Sequence, residues 1–82
     1  MMEDQRFTEP VRVALGRLGR TVYVVERVAL AFEILLNAWP APAGPKHATA
    51  LKVCGAVMKG RKEARLARRA FISAAAEAGI LA

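Results

Sequence analysis

An 82-residue chain has room for one domain, near the lower end of what folds without disulfides or metals, and its single Cys excludes an internal disulfide. The apolar fraction of 55% is high for this size, but 17 of those residues are Ala, which bury little area each. Charge is lopsided: residues 1–40 carry five Arg against five acids, so the whole net charge of +6 lies in residues 41–82.

The first six residues are polar and are expected to be loose. Val11, Val13 and Leu15 then alternate with Arg12 and Ala14, the period of a strand with one buried face, and Pro10 stands where that strand should begin. Gly16-Arg17-Leu18-Gly19 reads as a hairpin loop, and Arg20 to Val25 as the second strand. From about Glu26 the period changes. Val28, Phe32, Leu35, Leu36 and Trp39 recur at three- and four-residue steps, which predicts a helix closed by Pro40. Leu30 and Ile34 fall on the opposite side of that stripe. A helix apolar nearly all round must be covered twice, either centrally in the fold or by another subunit.

Ala41 to Pro45 forms a tight linker, with Pro45 suited to a first helical turn. A second helix is expected from about Lys46 to Lys59, with Gly55 a cost in its middle unless something packs closely there. Gly60 stops it, and a third helix follows from about Glu63 to Ala78, stopped by Gly79. The expected fold is α+β: one small domain over residues 1–82, with an N-terminal antiparallel β-hairpin followed by three α-helices.

The run Trp39-Pro40, Gly44, His47, Ala50, Cys54, Ala56 and Gly60 is followed by Ala64-Arg65, Ala70-Phe71, Ala74-Ala75 and Glu77-Ala78-Gly79-Ile80. This order of small and aromatic positions resembles a family of short bacterial proteins, domain of unknown function 982, chiefly from rhizobia and related alphaproteobacteria. The resemblance covers about Val11 to the C-terminus. It implies a compact α+β fold and a cytoplasmic bacterial setting, and it brings no catalytic or ligand-binding residue.

The same block gathers the only Trp, His and Cys within sixteen residues, which invites a Cys–His reading. A nucleophile and its base must approach to about 3 Å. His47 and Cys54 are seven residues apart on one helix, roughly 10 Å at 1.5 Å per residue. The expected roles are therefore structural: Cys54 a small core residue, His47 a first-turn residue bonded to a linker carbonyl, and Trp39 a core side chain. One His and one Cys cannot hold zinc within one chain. No catalytic residue, metal, cofactor or small-molecule substrate is expected.

Two surfaces remain. Arg61, Lys62, Arg65, Arg68 and Arg69 form a candidate polyanion-binding face for nucleic acid or an acidic protein, although no aromatic residues interleave with them. A solvated outer face is the plainer reading of the same charges. Leu30, Ile34 and Ile72 are candidate oligomer contacts, and Ile72 could instead tuck under Ile80-Leu81. An isolated hairpin has open edges that invite pairing, so a homodimer is expected. Glu3 and Asp4 stand where a secretory signal would be basic. The longest apolar run, Val28 to Trp39, is about half the ~20 residues that cross a bilayer, so a soluble cytoplasmic protein is expected.

Overall fold

The computed structural model describes residues 5–16, 19–40 and 42–82. β1 (Arg6–Leu15) and β2 (Thr21–Arg27) pair antiparallel, with Val11 opposite Val25, Val13 opposite Tyr23 and Leu15 opposite Thr21. Val11, Val13, Leu15 and Val25 are buried and Arg12 points out, as the alternation predicts. β1 starts four residues before Pro10 rather than at it. The register shifts between Arg6 and Val11, and that irregularity accommodates a residue with no N–H for the ladder.

Gln5 and Arg6 are not loose. The Gln5 carbonyl accepts the Val28 N–H at 2.9 Å, satisfying a donor at the next helix start. Its side-chain amide donates to the Val57 carbonyl at 2.6 Å. The rest of the segment expected to be loose, residues 1–4, lies outside the described residues. So do Arg17 and Leu18 of the hairpin loop, whose flanking Gly16 and Gly19 take φ of 90° and 65°.

Three helices follow: α1 (Val28–Asn37), α2 (Pro45–Met58) and α3 (Ala64–Ala78). Pro45 occupies the first turn of α2, and α3 ends at Gly79 in the left-handed region with φ 72°. The chain then returns to the sheet. Ile80 accepts the Ala14 N–H at 2.7 Å and Ala82 donates to Arg12 at 2.9 Å, around a Val13–Leu81 bridge. β1 is thus bordered by β2 on one side and the C-terminal residues on the other. Beyond β2 there is no further strand among the described residues.

The core lies between the hairpin and the helices, with Val13, Val25, Val28, Leu35, Cys54, Val57 and Phe71 fully enclosed. α1 lies in a different rotation from the expected one. Its buried side is Val28, Ala31, Ile34 and Leu35, whereas Leu36 is 57% exposed and Phe32 half-buried. The back of this helix is covered by the chain's own hairpin: Leu30 and Ile34 flank a hollow with Leu15 and Tyr23. Ile34, only 5% exposed, therefore belongs to the core and not to an oligomer contact. Small Ala31 on the inner side admits the sheet and helices closely, while the bulkier Phe32 and Leu36 face a groove against α2. Among the described residues no helix is long and apolar enough to cross a membrane.

Candidate functional site

The corner between α1 and α2 collects the rare residues for packing. His47 in the first turn of α2 has Nε2 2.7 Å from the Leu35 carbonyl. A carbonyl only accepts, so Nε2 carries the proton and donates. The acceptor lies in the last turn of α1, not in the linker as expected. It is one of the carbonyls a helix end leaves without an intrahelical partner. Trp39 packs on His47 (centroids 5.6 Å apart) and edge-on against Phe71 at 5.8 Å. It is half-buried, packed against the edge of the core.

Cys54 is fully buried, and burial pushes its thiol from 9.0 up to about 11. At neutral pH it is a protonated thiol without nucleophilic character. Its neighbour on the helix, His47, spends its bonded nitrogen on a backbone carbonyl. Among the described residues no three His, Cys, Asp or Glu side chains gather as a metal site would require.

Sequence reading missed Glu77. Its carboxylate, near the end of α3, accepts the Lys46 N–H with oxygens at 3.2 and 3.4 Å. It thereby serves as the N-terminal cap of α2, whose own cap residue, Gly44, has no side chain. A Cβ on Gly44 would stand 2.5 Å from the nearer carboxylate oxygen. The only signal in the sequence is that α2 lacks a Ser, Thr, Asp or Asn at its start. Gly44→Ala and Glu77→Ala are each expected to lower stability by about 0.5–1 kcal/mol. The double variant should cost no more than Glu77→Ala alone, because both act on one cap. A urea-melt double-mutant cycle checks this, and simple additivity would refute the shared cap.

The five cations of the expected polyanion face do not share a face. Arg61 and Lys62 precede α3, in the link from α2. Arg65 pairs with Glu63 at 2.5 Å. Arg68 turns toward β1, where its Nε donates to the Glu9 carbonyl at 2.8 Å, with the Glu9 carboxylate 3.9 Å away. Lys62 and Arg69 border a hollow between α2 and α3, while Arg61 lies along a groove with Lys52 and Lys59. Ile72 lines a recess with Leu81 and Val11, under the C-terminal residues as its position allowed. The apolar surface lies elsewhere: Val22, Tyr23 and Val24 are 52%, 44% and 44% exposed in succession along β2.

A two-stranded hairpin followed by three helices defines a small α+β fold. The family described as "Protein of unknown function (DUF982)" matches residues 9–82, and the chain belongs to it. The chain is similar to Agrobacterium tumefaciens protein Atu1219, whose structure was solved by NMR, with 30% identity and a TM-score of 0.77. That match covers 98% of this chain and 78% of the Agrobacterium protein. None of the curated proteins matches the sequence.

Proposed function

We propose that the protein is a non-catalytic interaction module that works as a homodimer joined along β2. The observation that carries this reading is the run Val22-Tyr23-Val24, exposed on a strand whose outer edge has no partner among the described residues. An open apolar edge is a template for another strand. Antiparallel pairing of two β2 strands centred on Tyr23 sets Val22 against Val24 twice. The same register sets Arg20 against Glu26 twice, so apolar cover and opposite charges agree on one alignment. Leu30 lies beside Tyr23 and would border the joint. The lone buried thiol and the alphaproteobacterial relative support a bacterial cytoplasmic setting.

Sedimentation equilibrium at tens of micromolar is expected to give twice the 8.9 kDa chain mass. Val24→Lys should give the monomer while keeping the helical circular dichroism. A monomer mass for the parent chain overturns the proposal. Polyanion binding through α3 is the competing reading, and the engagement of Arg65 and Arg68 by Glu63 and Glu9 weighs against it.

A further inference from the structure

An open groove of about 530 Å³ runs between α1 and α2, on the side of α1 away from the hairpin. Its floor is apolar, with Phe32, Leu36 and Leu51, and its rim is basic, with Lys52, Lys59 and Arg61. No acidic side chain lines it. Along α2 it extends from Ala48 to Lys59, roughly 16 Å, or three turns of a helix laid beside it.

Gly55 in that lining is informative. Glycine inside a helix is unfavourable unless something approaches closely. Nothing among the described residues makes that demand: a Cβ there would meet only the Phe32 ring edge, at an ordinary 3.8 Å. Internal packing would accept alanine, so the glycine leaves room in the groove for a close approach from outside.

We propose that this groove receives an acidic amphipathic helix of another protein, its apolar face on Phe32, Leu36 and Leu51 and its carboxylates against Lys52, Lys59 and Arg61. Helix-in-groove docking uses this combination of apolar floor and charged rim. A second copy docked groove to groove fits poorly, because Lys52, Lys59 and Arg61 would face the same three cations. The groove and the β2 edge lie on different sides of α1, so this inference stands apart from the dimer.

The test is selection of an 18-residue phage-displayed helical library on the full chain, followed by fluorescence anisotropy of the enriched peptides. Enriched sequences are expected to place apolar residues at i, i+3 or i+4, and i+7, flanked by Glu and Asp. Binding should weaken at least tenfold with Gly55→Leu, which fills the groove, and with Lys59→Glu/Arg61→Glu. Gly55→Leu should melt no lower than the parent. Should it unfold, Gly55→Ala, which adds one methyl in ordinary contact with Phe32, should melt higher than the parent and bind several-fold more weakly. Enrichment of neutral or basic peptides, or none, overturns the proposal. So does binding that survives the filled groove. Preferential binding to phosphatidylglycerol vesicles would assign the groove to a lipid surface instead. Loss of self-association in a folded Gly55→Leu variant would assign it to a second copy.

Discussion

Phe71→Ala is expected to lower stability by about 3–5 kcal/mol, the cost of truncating a fully buried aromatic ring. A chain of this length has roughly 4–12 kcal/mol in total at typical values per residue, so the variant sits at the edge of folding. The expectation leans to the high end because of what surrounds the ring. The other residues α3 buries are Ala67, Ala74 and Ala75, so Phe71 is the one large side chain this helix places in the core. Alanines cannot swing into the vacated space, and the cavity stays open. Trp39 loses its edge-on partner at 5.8 Å. Its emission should therefore move toward that of a solvated indole before the global transition. Urea unfolding followed by circular dichroism and by Trp39 fluorescence measures both effects. Phe71→Leu, which keeps most of the volume, should cost about 1.5 kcal/mol or less. A loss under 1 kcal/mol for Phe71→Ala would mean that α3 is held by something other than this ring.

The elements were legible in the sequence because two periods were clean. Val11, Val13 and Leu15 alternate, and the helical stretches are punctuated by Pro40, Pro45, Gly60 and Gly79. What the pattern could not carry was direction. α1 is apolar on nearly every side, so its periodicity does not say which side meets the sheet. The hairpin settles that by covering Ile34, and Leu36 is left outside. The basic block failed as one face for a related reason. Counting along an ideal helix put Arg61 and Lys62 in line with Arg65, but α3 begins only at Ala64. Arg68 is claimed by Glu9, 59 residues away in the chain. The cap that Glu77 gives to α2 spans 31 residues and leaves no local signature. The link between α2 and α3 redistributes the surface: Arg61, counted with α3 in the sequence, comes to border one groove with Lys52 of α2 and Lys59 at its C-terminal end.

Cys54 supplies the second large effect, and it appears only in alkali. Burial raises the thiol from 9.0 to about 11 in the folded chain. Between those values the unfolded chain has lost the proton and the folded chain still holds it. The folded state then binds more protons than the unfolded one, so stability must fall as pH rises. The slope is about 1.4 kcal/mol per pH unit across that window, up to about 3 kcal/mol in all. Below pH 9 the full contribution is present and the thiol adds no pH dependence. The parent curve alone says nothing about one thiol. The informative quantity is the parent minus Cys54→Ala, measured by urea unfolding from pH 7.5 to 11, because every other group is common to both chains. That difference should be level to about pH 9 and then decline. A thiol-reactive maleimide at pH 8 should label the parent only as fast as the fold opens, and denaturant should release full reactivity. A difference curve level to pH 11 would show that Cys54 ionises in the folded chain. The inert-thiol reading of the Trp39–Cys54 corner would then fail, and a nucleophile would have to be considered there after all.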